Sequence, residues 1–173
     1  MLSFAEWLST TGLSVFIQEN YSWLIPLIQS VHIVGIAIVF GSMFLINMRV
    51  LGLTGMDQTL EQTTNRYGPW LTKSLWVLLV TGILLIIGEP VRELVTVSFW
   101  LKMFLVAAGT AIALAFRSSL RKHTAQWETD RTKQGGVRAM ALLTLLIWIA
   151  IIFLGRLIAY DHIWGSWSPA TKA

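Results

Sequence analysis

A long stretch without charge is the feature that most constrains this chain. Between Glu19 and Arg49 the sequence has no Asp, Glu, Lys or Arg, and a helix needs about 20 apolar residues to cross the hydrocarbon core of a bilayer. Only 13% of the 173 residues are charged, whereas an average soluble domain has about 25%. We therefore expect an all-α integral membrane protein and not a soluble enzyme.

Four apolar segments are long enough to span a membrane. Pro69 stands where a helix accepts proline near its start, and Glu89-Pro90 ends the same segment. The predicted spans are about 23–48, 68–88, 94–116 and 137–160. Residues 1–20 carry apolar side chains at helical spacing, which predicts an interfacial segment of one or two short amphipathic helices. We expect one membrane domain, 1–173, built as an antiparallel four-helix bundle.

Basic residues are distributed unequally between the two ends of these spans. Four of them lie at one end, near the termini and the connection between spans two and three: Arg92, Lys102, Arg156 and Lys172. Nine lie at the other end, in or near the two remaining connections: Arg49, Arg66, Lys73, Arg117, Arg121, Lys122, Arg131, Lys133 and Arg138. Cytoplasmic loops carry the excess of Lys and Arg. Both termini are therefore expected outside the cytoplasm, and the net charge of +4 indicates topology and not nucleic-acid binding.

His32 lies deep in the first predicted span, roughly 13 Å from its outer end at 1.5 Å per residue. Ionisable residues at such a depth usually face the interior of a bundle. Gln29 and Gly35 share its helical face, so a hydrogen-bonding group, an imidazole and a gap lie together. One hypothesis is that His32 ligates haem iron through Nε2, with Gln29 or a carbonyl orienting Nδ1. The other is a structural histidine bonded to a neighbouring helix.

A second axial ligand is harder to identify from the sequence. His162 follows the fourth span on the same side of the membrane as His32, and Met103 lies a few residues into the third span from that side. His123 falls in the loop on the opposite side and cannot reach His32. The alternatives to a second ligand from this chain are a five-coordinate haem and a haem shared by two copies of the chain.

Several charged residues are predicted at a depth close to that of His32. Arg156 lies inside the outer leaflet, where its guanidinium must pair, snorkel or meet a ligand. Together with Glu89 and Lys102 it completes a predicted polar cluster around His32. The cluster is either an ion-pair network that ties helix ends together or a site for an anionic group, such as haem propionates, a quinone-like headgroup or a lipid phosphate.

Several motifs resemble an uncharacterised bacterial four-helix membrane family, a domain of unknown function. They are Trp23-Leu24-Ile25-Pro26, Gln29-Ser30-Val31-His32, Asn47-Met48-Arg49-Val50-Leu51-Gly52, Phe99-Trp100-Leu101-Lys102-Met103 and Gly155-Arg156-Leu157-Ile158-Ala159-Tyr160. The resemblance covers nearly the whole chain and implies a bacterial inner membrane with periplasmic termini. Asn47 stands where such proteins usually have Asp. A more distant similarity, to copper-resistance D-type and b-type cytochrome four-helix proteins, implies histidines within helices.

Three functional hypotheses follow from these residues. The first is a small redox-associated subunit, not a stand-alone enzyme, that binds one haem b or another cofactor near His32, with Lys102 and Arg156 holding anionic groups. The second is a non-catalytic accessory subunit of a larger membrane complex or homo-oligomer that binds lipid or pigment at its edges. The third is transport of a small solute or copper, although broken helices and internal repeats, the usual signature of a transporter, are missing.

Overall fold

Helices make up the regular secondary structure of the described chain. The computed structural model describes residues 2–122, 131–158 and 160, with side-chain detail for 2–119, 135–158 and 160. These ranges contain no strand and seven helices: α1 (Leu2–Ser9), α2 (Gly12–Glu19), α3 (Tyr21–Leu51), α4 (Leu60–Gly88), α5 (Pro90–Leu94), α6 (Val97–Lys122) and α7 (Arg131–Leu157). The all-α prediction is confirmed.

Four of these helices are long and apolar enough to cross a membrane. They are α3 and α4 over their full lengths, α6 over Val97–Ser119 and α7 over Gly135–Leu157. Many large apolar side chains on them are exposed, among them Trp76, Phe104 and Phe153. Such surfaces suit contact with lipid chains, so the chain has the features of a multi-pass membrane protein.

The helix that contains the second span begins earlier than the predicted span. Helix α4 already starts at Leu60 and continues through Pro69. Its start is capped reciprocally, because the Thr59 N–H donates to Gln62 Oε1 at 2.9 Å and the Gln62 N–H donates to Thr59 Oγ1 at 3.1 Å. This capping box satisfies two backbone donors at the helix start. The helix ends at Gly88, as the sequence indicates.

The described residues divide into two compact units. The first unit consists of the described residues of 1–35, 76–104 and 151–173, and the second of those of 36–75 and 105–150. Helices α3, α4, α6 and α7 each contribute to both units. The chain therefore passes from one unit to the other within its long helices.

In the first unit, the N-terminal helices pack against the end of α4. Ser14 Oγ on α2 donates to the carbonyl oxygen of Ile87 at 2.6 Å. A Cβ atom added to Gly88 would lie 2.7 Å from Ile25 Cδ1 and 2.9 Å from Ile17 Cγ2. Glycine is needed here because any larger residue would push the apolar side chains apart. Helix α1 contacts α5 in the same unit.

In the second unit, a buried apolar cluster joins α3, α4, α6 and α7. Its buried members are Ile46, Leu60, Phe116, Val137 and Ala141. Beside it, Asn47 is fully buried and its Nδ2 donates to Thr144 Oγ1 at 3.1 Å. Burial of an amide costs free energy unless it is hydrogen-bonded. The contact with Thr144 satisfies Nδ2 and joins α3 to α7 in this unit, whereas Asn47 Oδ1 has no partner among the described residues.

Arg117 docks on α4 within the second unit. Its Nη1 donates to Thr72 Oγ1, and its Nε would lie 2.5 Å from a Cβ atom added to Gly68. The missing side chain at Gly68 leaves room for the guanidinium against the helix. Arg117 is half-buried and therefore packs against α4, in addition to carrying part of the positive charge between spans three and four.

Candidate functional site

His32 packs on α4 within the first unit. Its Nδ1 lies 2.7 Å from Thr81 Oγ1. A Cβ atom added to the neighbouring Gly82 would lie 3.6 Å from His32 Cε1. The hydroxyl of Thr81 and the open backbone at Gly82 therefore form the surface on which the imidazole rests.

The direction of the hydrogen bonds decides which imidazole nitrogen is left for a ligand. Thr81 Oγ1 lies 2.7 Å from the carbonyl oxygen of Val77, one turn earlier on α4, and donates its only proton there. In the tautomer that carries the proton on Nδ1, the same oxygen accepts a hydrogen bond from His32 Nδ1–H. Among the described residues, His32 Nε2 has no hydrogen-bond partner. This arrangement leaves Nε2 as the nitrogen that can bind something else.

Gln29 and Gly35, the two residues predicted beside His32 on α3, do not hydrogen-bond to its ring as Thr81 does. Gln29 is exposed, and Thr81 takes the orienting role that the sequence assigns to Gln29 or a carbonyl. Gly35 is buried, and a Cβ atom there would lie 2.8 Å from Leu78 Cδ2. The gap beside Gly35 is therefore filled by α4. The pair Thr81-Gly82 within an otherwise apolar segment is the sequence signal that would have identified this partner.

Lys102 and Glu93 belong to the same unit as His32. Lys102 is close enough to interact electrostatically with both groups. Its aliphatic stem passes Gly155, where an added Cβ atom would lie 3.8 Å from Lys102 Cδ. Its ammonium nitrogen lies 5.6 Å from the centre of the Phe99 ring, within the range of a cation–π contact. One cation and one carboxyl group therefore accompany the imidazole.

Glu89 belongs to a different network at the end of α4. Its carboxylate accepts hydrogen bonds from Tyr21 Oη at 2.9 Å and from Arg92 Nη1 at 3.0 Å. Arg156 is exposed, with its guanidinium carbon 5.7 Å from the centre of the Tyr160 ring. Of the predicted cluster, Lys102 lies within electrostatic range of His32 and also of Glu93, while Glu89 pairs with Tyr21 and Arg92.

The remaining predicted ligands do not complete a coordination sphere among the described residues. Met103 is 38% exposed and follows Lys102 directly, so it lies about 100° around α6 from that residue. His162 and His123 lie outside the described residues. Within residues 2–122, 131–158 and 160, no three His, Cys, Asp or Glu side chains are grouped as a metal site. The described site therefore offers one oriented imidazole nitrogen, accompanied by a lysine.

Comparison with known proteins supports the resemblance noted in the sequence at the level of the family. No curated protein and no solved structure matches the chain. The similarity to copper-resistance D-type and b-type cytochrome proteins stays a prediction. A model of a family of unknown function, DUF6644, matches residues 4–161. Because this match covers nearly the whole sequence, including His32 and Lys102, the chain belongs to the DUF6644 family.

Proposed function

We propose that this protein is a small redox-associated membrane subunit that binds one haem b, with His32 as an axial ligand. The observation that carries the proposal is the 2.7 Å contact between His32 Nδ1 and Thr81 Oγ1, which leaves Nε2 available when Nδ1 carries the proton. Histidines that bind a metal usually donate their second ring nitrogen to a fixed acceptor, because this orients the ring and increases its basicity. Haem iron is commonly held by such an imidazole.

The surroundings of His32 supply one further feature that suits this ligand. Lys102, within electrostatic range of the imidazole, could pair with a haem propionate, since carboxylates are stabilised by cationic donors. Arg156 is proposed for the second propionate on the basis of its predicted depth alone. A second iron ligand would come from Met103, from His162 or from a second copy of the chain. The latter would make the functional unit a homo-oligomer.

We infer that the protein lies in the bacterial inner membrane as an antiparallel bundle of four spans with periplasmic termini. The inference rests on the nine basic residues at one end of the spans against four at the other. In that orientation His32 and Lys102 lie in the outer half of the membrane, and Glu93 lies in the connection at its outer surface. A haem there would be positioned for electron exchange with a partner in the membrane or the periplasm.

The absorbance spectrum of the protein purified in mild detergent, with haem supplied during expression, tests the proposal. We expect a Soret band that is lost in His32→Ala and kept in the control His123→Ala. Thr81→Val, which keeps the shape of Thr81 but removes the hydroxyl, should weaken haem binding about 10–100-fold. Thr81→Ser should restore it. Wild-type protein without a Soret band after haem supplementation would overturn the proposal.

The same variants distinguish the accessory-subunit hypothesis from haem binding. If His32→Ala retains the co-purifying membrane partners and the wild type shows no bound haem, the polar site is structural and the protein serves as a packing subunit. The exposed apolar surfaces of the long helices suit that role as well as lipid contact. Transport of a small solute or copper stays a prediction from the sequence.

A further inference from the structure

An open groove of about 330 Å³ lies in the second unit. One wall is a single stripe of α3, formed by Ile38, Gly41, Ser42 and Leu45. These residues follow the i, i+3, i+4, i+7 spacing of one helical face, so the wall is straight and about 10 Å long at 1.5 Å per residue. The groove thus runs along α3.

The second wall comes from the start of α4 and is more polar. It consists of Arg66, Tyr67 and Trp70. Arg66 is exposed and its guanidinium carbon lies 5.7 Å from the centre of the Tyr67 ring. Trp70 is exposed too, as expected of an indole at the level of the lipid headgroups. A cation and two aromatic rings therefore lie beside the apolar wall of the groove.

Two residues of α3 keep the groove accessible. A Cβ atom added to Gly41 would meet nothing within 4 Å, so the glycine leaves open space. Ser42 is only 6% exposed, and its hydroxyl makes no hydrogen bond to the described residues. The hydroxyl oxygen is not itself among the buried unpartnered atoms of the described residues, so it is accessible to a ligand with a hydrogen-bonding group.

We propose that this groove, lined by residues of α3 and α4, binds one anionic phospholipid of the cytoplasmic leaflet. An acyl chain lies along Ile38, Gly41 and Leu45, an ester oxygen accepts the Ser42 hydroxyl, and Arg66 pairs with the phosphate. The cytoplasmic leaflet is rich in anionic lipid, and Arg66 belongs to the basic end of the spans.

Native mass spectrometry of the intact protein, titrated with phosphatidylglycerol or phosphatidylethanolamine in mild detergent, tests this proposal. The wild type should retain one phosphatidylglycerol in preference to phosphatidylethanolamine. Arg66→Gln should lower that preference about fivefold, the effect of one basic residue near an anionic lipid. Lys73→Gln, which removes an exposed cation of the same helix outside the groove, should leave the preference unchanged.

A second pair of variants tests the acyl-chain part of the groove. Gly41→Leu should fold, because its side chain enters open space, but should weaken binding of both lipids about tenfold by removing contact with a few methylenes. Gly136→Leu, at another position with nothing within 4 Å of an added Cβ, is the control and should bind both lipids normally. Retained binding in Gly41→Leu would overturn the proposal. An equal loss of the phosphatidylglycerol preference in Arg66→Gln and Lys73→Gln would also overturn it. The same holds for a dimer of the wild type that is absent in Gly41→Leu while lipid binding persists.

Discussion

The carboxyl group of Glu93 lies half-buried on α5, within electrostatic range of two cations and a second carboxylate. Burial raises its pKa because the charged form loses hydration. Lys102 and Arg92 oppose this shift, and Glu89 adds to it. The folded protein therefore holds the Glu93 proton more tightly than the unfolded chain does. By linkage, this contribution to stability is full below the ordinary pKa of 4.5 and is lost as the pH rises through the higher folded value.

We predict that Glu93→Gln raises the unfolding midpoint at pH 8 and leaves it nearly unchanged at pH 4, because the amide is neutral at both. Thermal unfolding of the purified protein in detergent, followed by circular dichroism, measures both midpoints. Glu19→Gln, which alters an exposed carboxylate, is the control and should behave alike at the two pH values. A lower midpoint for Glu93→Gln at pH 8 would show that attraction by Lys102 and Arg92 outweighs burial.

The importance of His32 could be predicted from the sequence, but its hydrogen-bond partner could not. An ionisable residue in a stretch without charges is conspicuous whatever surrounds it. Its contact with Thr81 joins residues 49 positions apart, and it depends on the register between α3 and α4. That register is set by close packing at sites such as Gly35 and Leu78, which hydropathy alone does not specify.

At the scale of the element, the start of α4 shows how a local signal can decide a boundary. Pro69 lies inside the helix, where proline removes a backbone hydrogen bond and costs about 3 kcal/mol. The turns before it are nevertheless helical, because Leu60 and Thr64 are buried and Thr59 caps the start. The pattern Thr59-Leu60-Glu61-Gln62 is a capping-box sequence. The position of Pro69 alone predicts too late a start.

We predict that Thr59→Ala destabilises the protein by about 1 kcal/mol, the usual effect of losing an N-cap hydroxyl. Hydrogen exchange should be faster in residues 60–68, ahead of Pro69, than in the later turns of α4. Thr59→Ser keeps the hydroxyl and should retain wild-type protection. If the alanine and serine variants exchange equally fast, the apolar cluster around Leu60, and not the cap, holds this end of the helix.

For the whole molecule, the number of helices long and apolar enough to span a membrane could be predicted, because length and hydropathy decide it. The stretch without charge between Glu19 and Arg49 contains most of α3, and the other three apolar segments also correspond to long helices. The direction in which each helix crosses the membrane is not decided by length and hydropathy. It depends on the interaction of Lys and Arg with the cell's translocation machinery and its anionic leaflet, which no contact within the protein records. Orientation therefore has to be measured in the membrane.

The absence of cysteine from the sequence makes that measurement direct. We predict that Ser3→Cys, on α1, reacts with a membrane-impermeant maleimide in intact spheroplasts. Asp57→Cys, in the connection between α3 and α4, should react only after the membrane is permeabilised. Both positions are exposed in the folded chain, so burial within the protein cannot explain a difference between them, and the wild type supplies an unlabelled control. Labelling of Asp57→Cys before permeabilisation would reverse the proposed orientation and place the lipid groove beside Arg66 in the outer leaflet.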